Sequence, residues 1–241
     1  ERPPLPPLSR FPDAGVVVAR PGGTPGKLSV AFKGGSNHEL HNHNDVGEFI
    51  VAVGDAPLLA DPGNEVYTAR TFGPRRYESK VLNSFGHMVP EIDGQLQVAG
   101  EGTDAKVLAE EETPETFRQE LDLLPAYRVP GLTTLRREFF YDRRGGGSFR
   151  VTDVMEAERP LAFAVPLVTF DEFAAAGGKV SVRGRGEALT VQIDAGGMNF
   201  AFEETVIDEE MPAPPPPRRL ALRLAPATRV VFTLRMTPGA D

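Results

Sequence analysis

The chain has 241 residues, 40% of them hydrophobic, enough to build a sizeable core and too many for a disordered segment. A formal net charge of −8 argues against nucleic acid as a partner, because phosphate binding needs clustered Lys and Arg, and no apolar run approaches the roughly 18 residues of a membrane helix. The absence of cysteine excludes disulfides, thiolate metal sites and cysteine nucleophiles, and the absence of tryptophan leaves few stacking platforms for sugars or bases.

The opening ERPPLPPLSRFPD, residues 1–13, reads as a proline-rich linker from a missing N-terminal domain, with residues 14–241 as the folded unit. Short segments with strand-like alternation follow, punctuated by Gly, Pro, Asp and Asn: 15–19, 27–33, 48–54, 57–60, 80–88, 105–111 and 117–123. Further strands are expected at 132–142, 149–157, 161–170, 179–183, 188–194, 198–206, 218–224 and 228–236. RRGGGS between 132–142 and 149–157 tolerates the positive φ of a tight reversal and predicts a hairpin. Helical periodicity is weak. Even its best window, 113–123, alternates Phe117, Gln119, Leu121 and Leu123 as a strand does. PAPPPP at 212–217 reads as an extended surface loop, since only two strands follow it. About fifteen short strands predict an all-β fold, a large two-layer antiparallel β-sandwich in one domain.

Three of the four histidines, His38, His41 and His43, fall within KGGSNHELHNHNDVGEFI, residues 33–50. On an extended chain, His41, His43 and Asp45 share one face, which continues as Phe49, Val51 and Val53. That places imidazoles at the polar end of a row that becomes core. A zinc-like site needs further ligands beyond a His-x-His pair. Asp61 in LLADPG and His87 in LNSFGHMVP offer a carboxylate and another imidazole. Asp45 is an alternative to Asp61, or simply a turn-forming side chain. The bland reading of HNHND as a polar turn is weighed against a metal site, which the clustering of all four histidines between 38 and 87 favours.

Gly35, His41, His43, Glu48 and Gly54 also resemble the first motif of the cupins, in which His41, His43 and Glu48 would hold a catalytic metal. No Pro-x-Gly leads into His87, so the second cupin motif is missing. A broader match is carried by HNHNDVGEFIVAVGDAPLLADPGNEVY followed by RRYESKVLNSFGHMVPEIDGQLQ. This combination resembles the C-terminal domain of the heparinase II/III-like polysaccharide lyases over roughly residues 30–100.

The resemblance implies a supersandwich-like domain behind an N-terminal helical toroid, with an acidic, uronic-acid polysaccharide as partner and β-elimination as the reaction. It implies that His43, Asp61 and His87 bind a structural zinc and that His41 faces the cleft. It also implies a bacterial periplasmic or secreted protein, and an isolated sandwich that is inactive without its toroid. The loop YTARTFGPRRYESK adds Tyr67, Arg70, Arg75, Arg76, Tyr77 and Lys80 to an otherwise acidic chain. Arg75 and Arg76 are candidate binders of a sugar carboxylate, with solvated loop charges as the alternative. Tyr77 is a candidate catalytic group beside His41, and Asn83 and Gln97 are candidate substrate contacts. A non-catalytic carbohydrate-binding or scaffold module, with the metal only as a staple, is the competing class.

Overall fold

The computed structural model describes residues 5–22, 27–212 and 215–239. Its first five strands are β1 (Leu8–Phe11), β2 (Val16–Ala19), β3 (Leu28–Lys33), β4 (Phe49–Val53) and β5 (Ala56–Leu59). They pair antiparallel in sequence order into a five-stranded sheet. The second sheet holds β6 (Glu91–Ile92), β7 (Lys106–Glu112), β8 (Thr116–Asp122), β9 (Leu132–Asp142) and β10 (Ser148–Thr169). Its remaining strands are β11 (Glu172–Ala176), β12 (Lys179–Gly184), β13 (Glu187–Asp194), β14 (Phe200–Val206) and β15 (Arg218–Pro238). Their order is β11-β12-β13-β15-β10-β9-β8-β7, with β14 also pairing with β15 and β6 with β10.

Strict alternation explains why these segments form a sandwich. In β3 the buried residues are Leu28, Val30 and Phe32, and in β8 they are Phe117, Gln119 and Leu121. The inner faces meet through aromatic rings: Phe32 stacks on Phe139 with centroids 4.5 Å apart, and Phe49 meets Phe139 and Phe149 edge-on. Each such ring contributes about 1.5–3 kcal/mol by leaving water.

The 132–142/149–157 hairpin forms as predicted, with Asp142 opposite Ser148 and with Gly145 and Gly147 at positive φ in the turn. Two pairs of predicted strands are each one long strand. Residues 149–157 and 161–170 fuse into β10, of 22 residues, and 218–224 and 228–236 into β15, of 21. What looked like a break around Pro160 is a pair of register shifts, between Glu156 and Leu161 and between Leu161 and Phe163. A proline that removes a ladder donor is tolerated at such a bulge.

Three local expectations need correction. Leu8–Phe11, assigned to a linker, is β1 and pairs with Val16–Ala19. Residues 1–4 of that linker, and 213 and 214 of the proline run, lie outside the described residues. Residues 80–88, expected as a strand, form a loop with a single helical turn at Ser84–Gly86. There the Asn83 side chain accepts from Phe85 N and donates to Tyr77 O, so local side-chain bonds replace the ladder. Glu172–Ala176 is an edge strand that Ala-rich composition concealed.

Gly15 ends the turn between β1 and β2 with φ of +63°. A Cβ there would overlap the Gly35 backbone nitrogen. A Gly15→Ala protein is expected to lose about 2 kcal/mol or more, from left-handed strain plus the clash. The urea midpoint should fall with unchanged slope; an unmoved midpoint would show that the turn relaxes freely.

Candidate metal centre

Residues 34–48 join β3 to β4 as a loop, not as an extension of the strand, which starts only at Phe49. His41 has φ of +63°, and this left-handed residue reverses the chain. His41 and His43 therefore do not share a strand face. His41 is exposed, whereas His43 turns inward. Asp45 is taken by Lys33, whose Nζ lies 2.6 Å from Oδ1. It is not a substitute for Asp61.

The loop brings His43 to Asp61, just beyond β5, and to His87, in the loop before β6. One donor atom from each lies within 4.8 Å of the others. Asp61 is aimed by its own turn, since Gly63 N donates to Oδ1 at 2.7 Å. His87 is fully buried, and its Nε2 lies 3.0 Å from Val81 O. A carbonyl only accepts, so Nε2 carries the proton of that bond. His87 Nδ1 then faces two carboxylates, with Glu48 Oε2 at 2.9 Å and Asp61 Oδ2 at 3.3 Å. Neither lies in line for a hydrogen bond, and Glu48 Oε1 is also buried without a partner.

The electrostatics describe a buried cluster in which two carboxylates and two imidazoles are coupled. Burial pushes the Glu48 carboxyl up to about 7, against the opposing pull of His87. Burial disfavours charge on His87 as well, yet Glu48 and Asp61 hold its imidazole well above the usual range. For Asp61 burial acts upward, and the His87 and His43 rings outweigh it to leave a net lowering. His43 is lowered, first by burial and then by His87, which favours the neutral form that binds metals. His43 Nε2 lies 3.2 Å from Asn64 Oδ1, an outer partner that orients the ring. The donor chemistry of a carboxylate and two imidazoles, one of them with an orphaned Nδ1, fits a divalent metal of the zinc type.

Arg137 of β9 ties together the loops that carry Glu48 and His87. Its Nη1 donates to Gly47 O at 2.7 Å and Met88 O at 2.6 Å, next to Glu48 and His87 respectively. Nε and Nη2 form a two-point bridge to Asp153 at 2.7 and 2.8 Å. Sequence reasoning passed over Arg137. Its signal was a charge on the inward face shared with Leu135, Phe139 and Tyr141.

Gln97 and Asn83, expected as substrate contacts, both make hydrogen bonds within the protein. Gln97 is buried; it accepts from Asn37 Nδ2 and Val46 N and donates to Val46 O. Asn83 is spent on the turn described above. Arg76 is likewise engaged, donating to the carbonyls of His41, Asn42 and Thr71. Tyr77 OH donates to Asn42 Oδ1 at 2.8 Å. Arg75 is exposed beside Glu78. A cavity of about 300 Å³ lies next to these residues, lined by His41, Asn64, Tyr67, Phe72 and Arg76. Among the described residues His41 and Glu48 do not join His43 in one donor group, so the cupin arrangement is not formed.

The profile of the family described as heparinase II/III-like, C-terminal, matches residues 3–233. No curated protein matches the chain. Among solved structures, heparinase III, the BT4657 gene product, superposes with a TM-score of 0.79 at 14% identity, covering 97% of this chain and 36% of that one. A heparan sulfate lyase HepC mutant from Pedobacter heparinus gives 0.75 at 18% identity, covering 100% and 38%. A 4-alpha-glucanotransferase from Thermococcus litoralis shares the fold more loosely, at 0.54 and 11% identity over 96% and 39%. The chain thus spans little more than a third of the two lyase structures. With the two-sheet fold and a family profile matching nearly end to end, this chain belongs to the heparinase II/III-like family as its C-terminal domain.

Proposed function

We infer that this domain is part of a polysaccharide lyase that cleaves a uronic-acid-containing chain by β-elimination, and that His43, Asp61 and His87 hold a structural zinc. Family membership supports the reaction class, and the relatives named heparinase III and heparan sulfate lyase point to an acidic polysaccharide. The observation that carries the site is the connection between centre and cavity: Asn64 both touches His43 and lines the cavity beside His41. Bound zinc supplies a fixed positive charge that locks the two loops together. It gives the loops their shape, and the chemistry is left to side chains.

β-Elimination requires that the sugar carboxylate be neutralised, that the acidified C5 proton be removed and that the leaving oxygen be protonated. Each step needs a group within hydrogen-bond reach of its atom. His41, exposed at the cavity rim with its ring edge-on to Phe72, is the group of this domain that serves the first or second step. Arg76 and Tyr77 act on it indirectly, by holding the carbonyls of His41 and Asn42 and the Asn42 amide. Burial raises the Tyr77 phenol, so it keeps its proton and remains a donor. The remaining proton-transfer group belongs to the N-terminal helical domain that the family resemblance implies.

The test uses the full-length protein and follows the absorbance of unsaturated uronate product. His41→Ala is expected to lower kcat by about 100-fold or more, the range for a general acid or base, with zinc content and Tm unchanged. Undiminished turnover in that variant would remove His41 from the chemistry.

A further inference from the structure

Most aromatic rings of the chain lie inside the sandwich, yet two stand side by side at the surface. Tyr67 and Phe72 are 61% and 60% exposed, and their rings meet edge to face with centroids 5.2 Å apart. The His41 ring meets Phe72 edge-on in turn, at 5.5 Å. These three rings line the cavity of about 300 Å³ together with Asn64 and Arg76. Of nine large apolar side chains exposed among the described residues, four are Leu40, Val66, Tyr67 and Phe72, in or next to the cavity wall in sequence. Exposed apolar surface gathered in this way marks a binding surface.

The loop that carries Tyr67 and Phe72 is pinned. Arg70, between them in sequence, donates to Glu65 and, at 2.7 Å, to Glu209. Glu65 is buried and also accepts from Thr71 Oγ1. Glu209 accepts from Lys80 N at 2.8 Å, and Val66 N donates to Glu210 O at 2.7 Å. Rings held in place beforehand lose little freedom when a ligand covers them. The cavity also has a positive wall. Arg76 spends its donors on carbonyls and pairs with no carboxylate among the described residues. A sugar acid, with an apolar C–H face and an anionic substituent, matches both walls. We propose that Tyr67 and Phe72 form a stacking subsite for one sugar unit of the uronate chain, next to His41. This rests on the lyase reading made above and deepens it by naming the side chains that grip the substrate.

The experiment uses the full-length protein and unsulfated tetrasaccharides of two compositions, alternating glucuronate–N-acetylglucosamine and all-mannuronate. Product absorbance gives kcat and KM, calorimetric titration gives Kd, and thermal melting gives Tm. Tyr67→Ala and Phe72→Ala are each expected to raise KM and Kd about 10-fold or more, with kcat changed less than about threefold. Their Tm should stay within about 2 °C of wild type, as for exposed side chains away from the core. Tyr67→Phe, which keeps the ring, should behave like wild type. Unmoved KM and Kd in both alanine variants would overturn the subsite. So would a Tm lowered by several degrees with KM unchanged, the signature of rings packed against another domain. Wild-type protein that binds neither tetrasaccharide would refute the subsite as well. Binding without unsaturated product would instead defeat the lyase reading, and the Kd comparison would then decide the subsite alone.

Discussion

An Arg137→Met protein should be less stable than wild type by about 3–5 kcal/mol, the range for removing one partner of a buried ion pair. Arg137 and Asp153 are both fully buried and joined at two points, so the substitution leaves the Asp153 carboxylate uncompensated in the core. It also strips donors from the carbonyls of Gly47 and Met88, which are themselves inside the protein. Each such orphaned acceptor costs about 1–3 kcal/mol. The loops carrying Glu48 and His87 would be freed together, and zinc retention should fall in parallel with the urea midpoint. Replacing Asp153 as well, with leucine, is expected to recover part of the loss, because the uncompensated charge is gone while the loop carbonyls still lack their donor. A single variant within 1 kcal/mol of wild type, holding metal normally, would mean that the pair is not the clamp described.

The second large effect is expected at His87. A His87→Ala protein removes the ring that contacts both Glu48 and Asp61, leaving two carboxylates around an empty pocket. Metal binding should be abolished. A ligand present at about 1,000 times its Kd stabilises the folded state by about 4 kcal/mol. In a domain of this size that corresponds to a Tm difference on the order of 10 °C. Chelator treatment of wild type should reproduce most of the drop, and chelator should have no effect on the variant. Stoichiometric zinc in purified His87→Ala, or a wild-type melt indifferent to chelator, would contradict the ligand set. His43→Ala should behave alike, with a smaller stability loss because His43 is less deeply buried.

Much of the architecture was legible because alternation is a local property. Leu28-Val30-Phe32 in β3 and Leu135-Phe139-Tyr141 in β9 announce their buried faces without help from any partner. Turn glycines in RRGGGS announce the hairpin in the same way. The fusion of the halves of β10 and β15 was not legible, since a proline signals a break whether the chain turns or merely bulges. β1 was hidden for a similar reason: LSRF gains strand geometry only by pairing with VVVA.

The candidate centre divides along the same line. Residue types and their spacing determined which side chains were available for a metal: the four histidines among 241 positions, confined to residues 38–87, with Asp45, Glu48 and Asp61 between them. The tertiary structure decided which of them meet. A left-handed His41 sends its ring to the cavity and His43 inward, and Lys33 takes Asp45. Glu48 and Arg137, remote from each other in sequence, enter only because β4 and β9 pack face to face. Periodicity is encoded residue by residue. Convergence depends on loop reversals and on contacts between sheets, which short-range patterning does not carry.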